Sequence, residues 1–392
     1  MRHFDYLTEE DTASLFAVPP TPFTRASDPA LVSVGLGATL YSPGNRATLA
    51  DDALRAAAIG AMSQVWCLED SIGHAEVRES QTNVVRNLKE LGDDVRLPLL
   101  FVRVRSPQQI AELVEEAGGS AALLTGFVLP KFAPGPEGEA YLRVLADCSA
   151  AVGQTLYALP VLEHPDLAWR ESRQDHLGAL RELLDRHRSQ VLMLRVGGTD
   201  LCGLFGIRRD RDTTVWDVAV VRDMLGDVVN VFARRGDYVV SGPVWEHFQG
   251  PGGRLFKPQL RATPFEGRMR LRQAMLRDDA DELLREVLLD RANGFHGKTV
   301  IHPTHVAIVN TLQTVSKEEH DDALTVLDVR GQGGAVRSAA FNKMNEIGPH
   351  ELWAEQIVAR AQAYGVVAHD NGIIELLERG RRVAEALYSS RT

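Results

Sequence analysis

Cysteine is scarce in this chain: Cys67, Cys148 and Cys202 are the only three in 392 residues. An odd number spaced so far apart fits neither a disulfide framework nor a zinc knuckle, and suits a reducing compartment. Basic charge is in deficit too, with 43 Lys and Arg against 53 Asp and Glu, a formal net charge of -10. That argues against nucleic acid or an anionic membrane as the main partner. Long apolar runs are missing: none approaches the ~20 residues needed to span a bilayer. The opening "MRHFDYLTEEDTASLF" also lacks the apolar centre of a signal peptide. These absences read together as a cytoplasmic protein with no membrane segment. What is present is ordinary for a globular chain with a sizeable core, 44% hydrophobic and 24% charged.

The apolar residues fall into a rhythm. "LVSVGLGATLYSP" (31–43), "QVWCLED" (64–70), "PLLFVRVRS" (98–106), "AALLTGFVLPK" (121–131), "TLYALPVLE" (155–163), "VLMLRVGGTD" (191–200), "YVVSGPV" (238–244) and "KTVIHP" (298–303) read as strands. Amphipathic helical stretches separate them, among them 46–62, 76–91, 215–235 and 267–293. Strand–helix alternation implies parallel pairing with helices over the sheet. Eight such units in this length predict a (β/α)8 TIM barrel over 31–310, with 1–30 as an N-terminal segment and 311–392 as a C-terminal helical extension.

A barrel gathers the carboxyl ends of its strands at one mouth. The first strand is followed by Arg46 and the second ends in Glu69 and Asp70. The third carries Arg103 and Arg105, the fourth ends in Lys131, the fifth in Glu163, and the sixth is followed by Asp200. Acids and bases so arranged suit a divalent cation handling an anionic substrate. Glu163 and Asp200 are the preferred ligands, because each follows an otherwise apolar strand with few competing charges. Mg²⁺ needs only one or two carboxylates and fills its remaining positions with water and substrate oxygens. Glu69 and Asp70 would then hold those waters or orient Lys131 and the arginines. A salt-bridge network closing the mouth would use the same residues.

At these positions the sequence resembles a known group. "LYSPGNR", "CLEDSIG", "VRVRS", "FVLPK", "LPVLE", "GGTDLCGLFGIRRD" and "GFHGKTVIHPTHVAIVN" occur in the order of the citrate lyase β-subunit-like and malyl-CoA lyase-like proteins of the HpcH/HpaI aldolase superfamily. As a divergent branch it looks similar to the TIM-barrel C–C bond lyases associated with tellurite-resistance gene clusters. The resemblance implies a Mg²⁺-dependent lyase or aldolase for a 2-oxo or 3-hydroxy acid, free or as a CoA thioester. It implies Glu163 and Asp200 as metal ligands, Arg103 gripping the substrate, Glu69 and Asp70 supporting metal waters, and Arg46 lining the mouth. Arg105 stands where the family has Asn, suggesting a more anionic or differently shaped substrate, and Thr199 replaces an acid before Asp200. An insertion, 245–267, lengthens the loop after the seventh strand.

The family's tail motif reads "NKMNE" here, ending in Glu346. In the family this segment reaches over a neighbouring subunit's active site and supplies an acid. The resemblance therefore implies a homo-oligomer, trimeric or hexameric, in which Glu346 serves as proton donor or base.

Two patterns point elsewhere. "ANGFHGKT" (292–299) satisfies a loosened P-loop and offers an ATP- or GTP-binding alternative through Lys298. A P-loop must follow a strand and open a helix, whereas here a helix precedes and a strand follows. His302, before Pro303, reads as a structural residue at a strand end, and Cys67 as core. A catalytically silent barrel serving as a scaffold is the remaining alternative, which the paired carboxylates Glu163 and Asp200 disfavour.

Overall fold

Alternation along each strand decides which side chains face the barrel axis and which face the helices. In the computed structural model, which describes residues 1–92, 96–248, 280–369 and 371–388, the barrel strands are β1 (Ala38–Pro43), β2 (Ser63–Cys67), β3 (Leu99–Arg103) and β4 (Leu124–Leu129). They continue as β5 (Tyr157–Leu162), β6 (Leu194–Val196), β7 (Val240–Ser241) and β8 (Lys298–Val300). Val65, Phe101, Leu159 and Val161 fill the barrel interior. Their sequence neighbours Trp66, Val102, Ala158 and Leu162 join the separate core under the helices. A period of two thus serves two cores at once.

All eight strands are parallel, in the order β7-β6-β5-β4-β3-β2-β1-β8. A parallel bridge between Gly242 and Lys298 joins the two ends. Gly242 N donates to Gly297 O (3.2 Å) and Thr299 N to Gly242 O (3.3 Å). The chain is therefore a TIM barrel, as the eight-unit rhythm predicts.

The first strand is shorter than the apolar run suggests. Its opening residues form a helix instead, Pro29–Gly35, with Asp28 Oδ1 accepting from Ala30 N at 2.9 Å and proline in the first turn. Both features favour helix starts, and burial outweighs the β preference of Val32 and Val34. That helix packs Leu31, Val32 and Val34 against Met62, Leu99 and Tyr157, closing the barrel at the amino ends of the strands. The stretch 267–293 is described only from residue 280, where it forms the helix Asp281–Ala292. Of the insertion 245–267, only residues 245–248 lie within the described residues.

Beyond the barrel come the helices Lys317–Asp328, Ile347–Tyr364 and Gly372–Tyr388. The second of these runs beneath the plugging helix, where Tyr364 donates its hydroxyl to Val34 O at 2.7 Å. Val366–Val367 pairs antiparallel with Phe16–Val18, tying the beginning of the chain to its tail. A hairpin, Ala335–Arg337 with Met344–Glu346, stands between the first two helices.

Candidate active site

The strand ends bring six of the expected residues into one network. Arg103, the last residue of β3, reaches Glu69 (2.8 Å), Asp70 (3.1 Å) and Glu163 (3.1 Å). Lys131 Nζ reaches Glu69 (2.6 Å) and Asp70 (3.4 Å), and stands 4.0 Å from Asp200. The Lys131 backbone, held at φ +47°, also donates its N–H to Glu163 Oε1 at 2.9 Å. A non-glycine residue in that left-handed region carries local strain, which the Glu163 bond offsets. A cavity of about 350 Å³ opens here, lined by Asp70, Arg103, Glu163, Asp200 and the strand residues Tyr41 and Thr299 among others.

Glu163 is the most deeply buried acid of the set, its side chain 1% exposed, while Asp200 is 32% exposed. Burial pushes the Glu163 carboxyl up to about 7; Arg103 opposes this and the Asp200 charge adds to it. Burial also acts against the charge on Arg103, but Glu163 and its other neighbours raise it overall. Burial would raise Asp70 as well, yet hydrogen bonding to Glu69 and the charges of Arg103 and Lys131 hold it below the usual range. Four carboxylates thus face two cations, with Glu163 and Asp200 repelling one another. That deficit, in an all-oxygen donor set open to a cavity, fits a hard divalent cation held by Glu163 and Asp200.

Space for Glu163 comes from the next strand. A Cβ at Gly197 would lie 1.9 Å from Glu163 Oε2 and 2.6 Å from its Cβ. Only glycine can stand there. Sequence reading passed over Gly197, because nothing in one strand says what the neighbouring strand must accommodate.

Three expected residues stand apart from this network. Arg46 bonds Asp52 through Nε at 2.7 Å and does not line the cavity; the turn after β1 aims it at the following helix. Arg105 donates to the carbonyls of Leu68 (2.7 Å), Glu69 (2.7 Å) and Ile72, so its guanidinium braces the loop bearing the acids, and it lines a neighbouring cavity with Glu69, Asp70 and Lys131. Glu346 lies exposed in the tail hairpin. Thr199 donates to Glu246 Oε1 at 2.7 Å, so an acid does stand beside Asp200, supplied from the loop after β7.

Sequence reading also missed two buried groups. Arg195, in mid-β6, is 1% exposed and lines the cavity. The signal was present: a charged residue between apolar ones at an inward-facing position. The second group surrounds Lys298, whose side chain is fully buried with Nζ 2.7 Å from both Glu286 and Asp290. Arg209 bonds Glu286 (2.8 Å) and Trp216 bonds Asp290 (2.8 Å). Lys298 is therefore spent on two acids, and the helix–turn–strand order about it offers no phosphate cradle. His302 stacks on Phe248 (5.0 Å, 6° between planes) and bonds Thr304, a structural setting.

A further group, His164, Asp166 and His176, lies just past Glu163 with its potential ligand atoms within 4.8 Å of one another. His164 Nδ1 already accepts the Asp166 N–H at 3.2 Å, as a helix cap. No described helix is long and apolar enough to cross a membrane.

A closed parallel (β/α)8 barrel with clustered carboxylates at the strand carboxyl ends has the architecture of a TIM-barrel enzyme. The chain belongs to the family of C–C bond lyases of the TIM-barrel fold, whose model matches residues 30–366. It is thus a carbon–carbon lyase, with citrate lyase-like and malate synthase structures as neighbours. A citrate lyase from Burkholderia xenovorans has 15% identity and a TM-score of 0.59, covering 87% of this chain and 96% of its own. CitE from Mycobacterium tuberculosis, in complex with magnesium, acetoacetate and coenzyme A, has 16% identity and a TM-score of 0.53, covering 84% and 99%. Haloferax volcanii malate synthase, as a magnesium/glyoxylate complex, has 14% identity and a TM-score of 0.52, covering 89% and 97%. At such identities the likeness is one of fold. No curated protein matches the chain.

Proposed function

We propose that this lyase is Mg²⁺-dependent and makes or breaks a carbon–carbon bond in a 2-oxo or 3-hydroxy carboxylic acid, free or as a CoA thioester. The observation that carries this reading is the Glu163–Asp200 pair, two carboxylates of unequal burial facing one cavity at the strand carboxyl ends. CitE crystallised with magnesium and coenzyme A, and malate synthase with magnesium and glyoxylate, support it by analogy of fold.

Glu163 and Asp200 would hold the ion, whose chemistry is Lewis-acid stabilisation of charge developing on a substrate oxygen. Arg103, already fixed by Glu69 and Glu163, lies at the cavity wall where it meets a substrate carboxylate by charge-assisted hydrogen bonds. Lys131 pairs with Glu69 and Asp70 and would keep both acids oriented toward metal-bound water. Arg105 fixes the backbone beneath those acids.

We further infer a homo-oligomer in which the tail hairpin caps a neighbouring barrel. Lys343 bonds Glu318 (2.7 Å) and Asp322 (2.9 Å), and Asn345 bonds Asp322 (2.9 Å), so the hairpin is anchored on its own helix. Yet Phe341 and Met344 stand 70% and 56% exposed, as suits a surface that packs on something else.

Titrating Mg²⁺ calorimetrically into Glu163→Gln and Asp200→Asn tests the metal assignment. Binding should be lost in both with the circular dichroism spectrum intact. Wild-type affinity in both variants would overturn it.

A further inference from the structure

The mouth of the barrel and its interior carry opposite electrostatic deficits. At the mouth, Nη2 of Arg103 faces three acids, and the acids outnumber the cations. One layer deeper the position reverses. Arg195 lies opposite Val161 in the β5–β6 register, and Glu163 stands two residues beyond Val161 on the same face. Its Cα therefore sits two residues along the strands, roughly 7 Å, below the Glu163 level.

Nothing described neutralises it. Arg195 Nη1 donates to Thr39 Oγ1 (3.1 Å) and Nη2 to Thr299 Oγ1 (2.6 Å). Its Nε has no partner. Tyr41 adds a side-chain hydrogen bond, its ring lying 5.6 Å from the guanidinium carbon. Among the described residues no carboxylate lies within ion-pair distance, and Arg103 adds a like charge. A buried cation without a counter-ion costs several kilocalories, and a protein keeps one where a ligand supplies the missing charge. The threonines, from β1 and β8, and Tyr41 fix the planar fork with neutral partners only, leaving donor capacity for an acceptor that carries charge. The cavity already reaches this residue.

We propose that Arg195 is the binding site for a second carboxylate of the substrate. The cavity then takes a short-chain dicarboxylate, one end toward the cation that Glu163 and Asp200 would hold, the other on Arg195. This deepens the lyase reading and rests on it for the orientation of the ligand. The arrangement also gives Arg195 a specificity role. A monocarboxylate of the same size leaves the cation bare, a larger loss than the missing contact alone.

The pair L-malate and L-lactate isolates that second carboxylate, since both present a 2-hydroxy acid to the metal. With Mg²⁺ present, malate should bind the wild-type protein roughly tenfold to a hundredfold more tightly than lactate, the range for a charge-assisted contact. Arg195→Gln should bring the two affinities together, and Arg195→Lys should preserve part of the difference. A brace with no ligand role would shift both affinities alike, leaving their ratio untouched. A second arm omits the metal: in EDTA, malonate should raise the melting temperature of wild type and Arg195→Lys more than acetate does, but not of Arg195→Gln. If neither hydroxy acid binds with Mg²⁺ while the malonate effect persists, the lyase reading fails and the anion site stands. If Arg195→Gln does not fold, wild type alone still decides, because equal affinity for malate and lactate together with no malonate effect overturns the proposal. A malate-to-lactate ratio unchanged in a folded Arg195→Gln overturns it as well.

Discussion

Glu163 acquires its character from three neighbours: Arg103 beside it, the Lys131 backbone N–H above, and the bare Cα of Gly197 across the strand. The last is the most restrictive, because an added methyl would overlap the carboxylate itself. Gly197 has φ -86° and ψ 76°, so alanine brings no backbone penalty of the kind that attends positive φ. Gly197→Ala should therefore act by displacing Glu163. We expect Mg²⁺ affinity to fall roughly tenfold to a hundredfold, the range seen when a ligand's supporting shell is disturbed. Calorimetry on the variant checks this, and an unchanged affinity would show that Glu163 does not need its present position to bind the ion.

At the level of elements, the helix Asp281–Ala292 is fastened to the closing strand by charge. Lys298 of β8 inserts between Glu286 and Asp290, one helical turn apart, and Arg209 covers the far side of Glu286. Burial raises Asp290 to about 6; Lys298 opposes this and Glu286 reinforces it. Removing one partner from such a buried set leaves an uncompensated charge, at a cost of about 3–5 kcal/mol. Lys298→Met should lose that much in urea unfolding. Lys317→Ala, which breaks an exposed pair with Asp321, should lose under about 1 kcal/mol. Neither substitution should change calorimetric titration with ATP. Nucleotide binding that disappears with Lys298 would revive the P-loop reading.

For the whole molecule, the tail presents two different kinds of surface. Its helices bury Ala354, Ile357 and Leu377, and the last runs along the helix Thr304–Thr311 of its own barrel. The hairpin tip remains uncovered. If the hairpin caps a second barrel, Glu346→Ala should lower turnover several-fold while Mg²⁺ affinity and the assembly measured by light scattering stay as in wild type. A monomeric wild-type protein at micromolar concentration, with full activity in Glu346→Ala, would rule capping out.

The eight strand–helix units and the closed barrel were legible in the sequence, because strand–helix alternation implies parallel pairing under covering helices and eight such units suffice to close it. So were the acids Glu69, Asp70, Glu163 and Asp200, each standing where an apolar run stops. Of their partners, Arg103 and Lys131 were legible as well, but not which of the other arginines would join them. Arg46 and Arg105 followed strands as convincingly as Arg103 did, but position in a strand does not give side-chain direction. The turn after β1 sends Arg46 to Asp52, and the backbone carbonyls of 68–72 capture Arg105. Helix outcompeted strand at Pro29–Gly35 because the open end of the barrel needed an apolar plug. Charge balance belonged wholly to the tertiary structure: one composition yields a mouth short of positive charge and an interior short of negative charge only because closure sets Glu163 and Arg195 at successive levels of one cavity.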